Sequence, residues 1–152
     1  MSYWAHLEDR TTEPWCSYGR VDWTPEYQGD EQCSSPCYPA VQVEHRTDGG
    51  TYRVGGTDEA ELNITYNYAR NWWPVWQRIG GPEDGEGDGS LGKMIGEKRA
   101  GDTIEWLSKA VEILGTERDP DYWAATDGNA GYALSILLGW ARQHPDAVWR
   151  IS

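Results

Sequence analysis

The sequence predicts an α+β domain: a small antiparallel sheet with two main helices packed on one face, preceded by an irregular N-terminal extension. Three observations support this. Apolar residues alternate between 41 and 69, they recur at helical spacing between 104 and 141, and no internal repeat links the two regions.

Residues 1–40 are rich in Pro, Tyr and Trp without a sustained period, so they read as an extension with short strands at most. A single domain is expected over 41–152. In "VQVEHRT" and "TYRV" alternation flanks "DGG", whose residues accept positive φ, which predicts a hairpin. In "ELNITYNYA" Leu62, Ile64, Tyr66 and Tyr68 share one face while Asn63, Thr65 and Asn67 share the other, the pattern of a half-buried strand. "RNWWPVWQRI", residues 70–79, reads as a short helix or turn in which Pro74 is tolerated only near the start. "GGPEDGEGDGS" then holds five Gly, one Pro and four acids, the composition of a flexible acidic surface loop over 80–90. Beyond it Asp102 is placed to cap a helix carrying Ile104, Leu107, Val111 and Leu114, with Gly115 as its stop. A second helix, roughly 127–143, buries Ala130, Ala133, Leu134, Leu137, Leu138 and Ala141, begins near "TDGN" and must end before Pro145.

Composition narrows the function classes. There are 25 acidic residues against 13 basic ones, a formal charge of −12 and a pI near 4.5. Phosphate neutralisation needs clustered cations, so direct binding to nucleic acid or to an anionic membrane is disfavoured. No stretch approaches the length of an apolar membrane span, and "MSYWAHLEDRTTEP" lacks the basic-then-apolar order of a secretory leader. A cytoplasmic location is expected, which leaves the sequon Asn63-Ile64-Thr65 without meaning. There are 10 Trp and 9 Tyr but no Phe. Such rings suit core packing and ligand stacking alike.

The motifs that could carry chemistry fall short. Gly87 and Gly92-Lys93 have the spacing of a phosphate loop, but Met94 stands where the magnesium-holding hydroxyl belongs. Asp84, Glu86, Asp88 and Gly89 fit the start of a calcium loop, yet Ile95 replaces its closing Glu. Cys33 and Cys37, with Cys16, His45 and His6, make one loose pair plus scattered singles, where structural zinc prefers two tight pairs. Neither a metal nor a cofactor is implied. Ser, Cys and Thr stand in no nucleophile setting, and His6, His45 and His144 are dispersed, so an enzyme is the least supported class.

Two stretches could bind a ligand. Tyr66, Tyr68, Arg70, Trp72, Trp73, Trp76 and Arg78 combine π faces with planar cations able to pair with phosphate. Gly128 and Asn129 stand at a helix start, where free N–H groups could meet an anion unless Asp127 satisfies them itself. For both, core packing and helix capping are the competing roles.

Through "ELNITYNYA", "AGDTIEWLSKAVEILGTERDPDYWAATDGNAGYALSILLGWARQHPDAVW" and the spacing between them, residues 41–152 resemble a family of small proteins encoded by tailed phages and prophages, which brings no transferable activity. The resemblance implies a setting, an accessory protein in the host cytoplasm, where many such proteins counter host immunity. Two expectations follow. The first is a non-catalytic binder that sequesters a nucleotide-type signal. The second is an acidic mimic of nucleic acid that occupies the groove of a host nuclease or CRISPR effector. The partner is thus a small nucleotide-like ligand or a host defence protein, with homo-oligomerisation left open.

Overall fold

The computed structural model describes residues 1–14, 37–42, 60–81 and 90–152. The sequence-predicted hairpin beyond residue 42, Cys16, Cys33, His45 and most of the acidic loop lie outside these residues.

The fold is α+β. Three strands, β1 (Ser2–Glu8), β2 (Glu61–Thr65) and β3 (Val148–Ile151), form an antiparallel sheet in the order β2-β1-β3. Four helices accompany it: α1 (Ala69–Ile79), α2 (Ser90–Ile95), α3 (Ala100–Leu114) and α4 (Asp127–Gln143). The extension read as irregular therefore supplies the central strand. Tyr3, Ala5 and Leu7 alternate into the core, while Ser2, Trp4 and His6 face the other way.

Register follows from the backbone bonds. Trp4 exchanges both of its backbone hydrogen bonds with Ser152, so even-numbered residues of β1 bond toward β3 and odd-numbered ones toward β2. The inner face carries Leu62, Ile64, Tyr3, Ala5, Leu7 and Trp149, all buried. The buried Trp149 indole donates to Thr103 Oγ1 at 2.9 Å, fastening β3 to α3. At one end of the sheet, Glu8 accepts from Arg10 at 3.0 Å and from Arg150 at 3.2 Å, and Arg10 also reaches Glu97 at 2.8 Å.

The strand read as running from 61 to 69 stops at Thr65, whose side chain accepts the Asn67 N–H and starts a 3-10 turn over Tyr66–Tyr68. Tyr66 is thereby turned outward, not into the core, and α1 begins at once. Pro74 lies well inside α1 instead of near its start. Pro74 and Arg70 are both exposed, on the solvent side of the helix, where the backbone bond that Pro74 cannot donate is least costly to lose.

Asp102 is not the cap of α3. The helix begins two residues earlier, and the Ala100 and Gly101 N–H groups donate to the carbonyls of Ala147 and Pro145 at 2.7 and 2.8 Å. Tertiary backbone contacts take the place of a capping side chain. Asp102 instead joins Asp146 in pairing with Arg99. Gly115, at φ 75°, ends the helix as expected. α4 spans the predicted range, with Thr126 as its cap. It lies antiparallel to α3, and their close approach is set by Gly131, where an added Cβ would stand 1.8 Å from the Gly115 carbonyl oxygen.

Candidate functional site: the exposed face of the first helix

The nine sequence-predicted binding residues separate into three groups. Tyr68, Trp72 and Trp76 are core residues. Tyr68 donates its hydroxyl to the Tyr122 carbonyl, the Trp72 indole donates to the Ala130 carbonyl at 3.1 Å, and Trp76 packs edge-on against Trp106. Their rings are out of reach of a ligand. The helical phase explains it: 68, 72, 75 and 76 fall on the side of α1 that meets α3 and α4.

Gly128 and Asn129 form the second group, and both organise the loop between α3 and α4. A Cβ at Gly128 would stand 1.8 Å from the Glu117 carbonyl oxygen, so glycine is needed for close packing. Asn129 is buried. Its Oδ1 accepts the Asp119 N–H at 2.8 Å, and its Nδ2 donates to the carbonyls of Asp121 and Ala124, each at 3.0 Å. Its own N–H is taken by Thr126 Oγ1, so the helix start is closed by Thr126 and offers an anion no free Asn129 N–H. Asn129→Ala should cost about 2–4 kcal/mol, because three buried hydrogen bonds lose their partner at once. Thermal melting and limited proteolysis at 117–126 are the checks; an unchanged melt and cleavage pattern would refute the pinning role.

Tyr66, Arg70, Trp73 and Arg78 form the third group, all exposed, Tyr66 in the 3-10 turn and the other three on the solvent side of α1. Tyr66, Arg70, Trp73 and Gln77 follow one another at spacings of three and four, with Pro74 and Arg78 alongside. Trp73 is 42% exposed. Beside this stripe the 121–127 segment is tied to α1: Asn67 Nδ2 donates to the Trp123 carbonyl at 3.0 Å, and Asn71 Nδ2 donates to the Ala125 carbonyl and to Asp127. Trp123, 62% exposed, thus flanks the same face.

The two ends of this face are joined through the interior. Ring centroids run from Tyr66 to Tyr3 at 4.2 Å, Tyr3 to Trp72 at 5.9 Å, Trp72 to Tyr68 at 6.2 Å, Tyr68 to Tyr122 at 5.7 Å and Tyr122 to Trp123 at 5.0 Å. Tyr122 is held firmly, its hydroxyl accepting the Thr65 N–H at 3.0 Å, and burial pushes its phenol upward. The exposed rings therefore rest on a rigid aromatic frame. Tyr3 and Trp123 were missing from the sequence-derived set, although Trp123 stands inside "DYWAATDGNAG".

Arg70 and Arg78 have no carboxylate within 4.0 Å among the described residues. The other described arginines are engaged: Arg10, Arg99 and Arg150 by carboxylates, Arg142 by Ser108, and Arg118 over the Tyr132 ring at 4.7 Å.

Two clefts lie elsewhere among the described residues. One, of about 420 Å³, includes Asp9, Thr11, Gln143, His144 and Asp146. Thr11 donates both its N–H and its hydroxyl to Asp9 and holds that carboxyl below its ordinary value, and Asp146 is paired with Arg99. These acids are occupied structurally, and no nucleophile is set against His144 among the described residues. The other cleft, about 510 Å³, is lined by Glu117, Arg118 and Gly128. No group of three His, Cys, Asp or Glu side chains that could hold a metal occurs among the described residues, and none of their helices is long and apolar enough to cross a membrane. Comparison of the chain with family models, curated proteins and solved structures finds no match.

Proposed function

We propose that the protein is a non-catalytic binder whose contact surface is the exposed face of α1, with Trp73 and Tyr66 as stacking platforms and Arg70 and Arg78 as phosphate-pairing cations. The observation that carries this is that, among the described residues, Arg70 and Arg78 meet no carboxylate, and Arg70 lies one turn from the exposed Trp73. In a chain of charge −12, acids are abundant, yet these two guanidiniums lack the carboxylate partners that hold Arg10, Arg99 and Arg150. Cations left open beside a π face suit a ligand with both an aromatic ring and negative charge, the chemistry of a nucleotide. The wider role, a phage accessory protein that counters host defence by sequestering such a signal, rests on the resemblance of residues 41–152.

The test is calorimetric titration of cyclic nucleotides and ADP-ribose derivatives into wild type, Trp73→Ala and Arg70→Ala. Each substitution should weaken binding by about 1–3 kcal/mol without unfolding the chain, since both side chains are exposed. No heat from any nucleotide with the wild type would overturn the reading.

One observation favours a second reading. Glu117, Asp119, Asp121 and Asp127 are all exposed on the segment around the start of α4, a short acidic surface that could imitate phosphates toward a basic groove. Inhibition of a nuclease would then fade steeply with salt and ignore Trp73→Ala. A nuclease-inhibition assay at two salt concentrations separates the readings.

A further inference from the structure

We propose that β2 is a self-association edge, through which two copies of the chain pair antiparallel into one continuous six-stranded sheet. The two edges of the sheet are treated differently. Along β3 the chain itself closes the outward groups of Trp149: Glu97 N–H donates to the Trp149 carbonyl and Trp149 N–H donates to the Lys98 carbonyl, both at 2.9 Å, with Arg99 bridging Val148, and only Ile151 at the strand's end keeps outward groups without a partner among the described residues. Along β2, Leu62 and Ile64 bond toward β1, so Glu61, Asn63 and Thr65 turn their backbone groups outward. Thr65 N–H is taken by the Tyr122 hydroxyl. The N–H and C=O groups of Glu61 and Asn63 have no partner among the described residues.

An edge of this kind is a template for another strand, and β2, though short and carrying Glu61, has neither Pro, Lys nor a bulge to blunt it. Its geometry selects a second copy. Because Tyr122 occupies the Thr65 end, the symmetric register that uses only groups without a partner among the described residues, and keeps Glu61 from facing itself, places Leu62 opposite Leu62 of the second copy. Glu61 then faces Asn63 twice, exchanging four backbone hydrogen bonds. On the inner face apolar meets apolar. On the outer face each carboxylate meets an amide, so no like charges stand opposite one another. The two helical layers come to lie on the same side of the joined sheet. The large negative charge of each copy opposes approach, so association should strengthen as salt screens it.

Sedimentation velocity over a wide range of protein and salt concentrations tests the edge. Wild type should pass from monomer to dimer, more readily at higher salt. Asn63→Glu sets a carboxylate opposite Glu61 at two places and should weaken the dimer about tenfold, whereas Asn63→Lys should hold it as tightly or more so. Asn63→Pro removes an outward N–H and should also weaken it. The same charges introduced at exposed Gln143 correct for net charge and should have little effect. Circular dichroism shows which variants fold, and the Glu and Lys variants decide the matter if the Pro variant does not. A monomer at every concentration overturns the proposal, as does a dimer indifferent to Asn63→Glu. A chain that stays monomeric yet protects the Glu61 and Asn63 amides only when an extended peptide is added would assign the edge to another protein's strand and equally overturn self-association.

Discussion

Ile64→Asp should leave the chain unfolded. Ile64 is fully buried on the inner face of β2, opposite Tyr3 of the central strand, and an aspartate there has no cation or donor within the apolar layer to meet it. Burying an unpaired carboxylate, or protonating it to avoid doing so, together with the lost isoleucine, costs more than about 4–5 kcal/mol, a large share of the stability of a domain this size. One residue earlier, Asn63→Asp should be mild, because Asn63 is half-exposed on the outer face, where its amide donates to Ser2 Oγ at 2.9 Å. Circular dichroism and thermal melting of the two variants make the comparison. Equal damage from both would mean that the alternation of faces along β2 is wrong.

Gly131→Ala should also be severe, against the ordinary expectation for a helix interior. Replacing glycine by alanine in mid-helix normally gains up to about 1 kcal/mol. At Gly131 the new methyl would stand 1.8 Å from the Gly115 carbonyl oxygen and 2.9 Å from the Leu114 side chain, so α3 and α4 must separate along the largest helix contact of the fold. A net loss of about 2–4 kcal/mol is expected, a fall in Tm of roughly 10 °C. Gly139 in the same helix has nothing within 4 Å of its would-be Cβ, and Gly139→Ala should leave the protein as stable or more so. If both variants melt alike, the close approach of the two helices is not what Gly131 serves.

How much of this was readable beforehand depends on element length. α3 and α4 span 15 and 17 residues, enough turns for the apolar spacing to repeat, and their limits match the expected ones except at the start of α3, whose cap is Arg99, three residues before Asp102. β3 has four residues and α2 has six, too few for any period to show. β1 does alternate, Tyr3, Ala5 and Leu7 against Ser2, Trp4 and His6, but the apolar Trp4 on the outer face blurs the pattern. The binding face was half legible. Composition marked Trp72, Trp73, Trp76 and the arginines as unusual, yet which ring meets water depends on where the strand ends and α1 begins. That phase is set by Thr65 and its hydrogen bond to the Asn67 N–H, a single side chain whose effect on the following helix no periodicity reveals. Asn129 was read as a possible anion contact because its partners, Asp119, Asp121 and Ala124, meet only once the loop is closed.

The placement of β1 in the middle of the sheet has a consequence in time. Its two partners arrive much later along the chain: β2 begins at residue 61, and Glu8 meets Arg150 across a separation of 142 residues. During synthesis β1 thus emerges before both of its neighbours and must wait for them. α3 and α4 are neighbours along the chain, joined by residues 115–126, so the helical pair is expected to form before the sheet closes. Until then the segment "SYWAHLE" is an unpaired, partly apolar strand. The slow step of folding is then expected to be the capture of that waiting segment by β2 and β3.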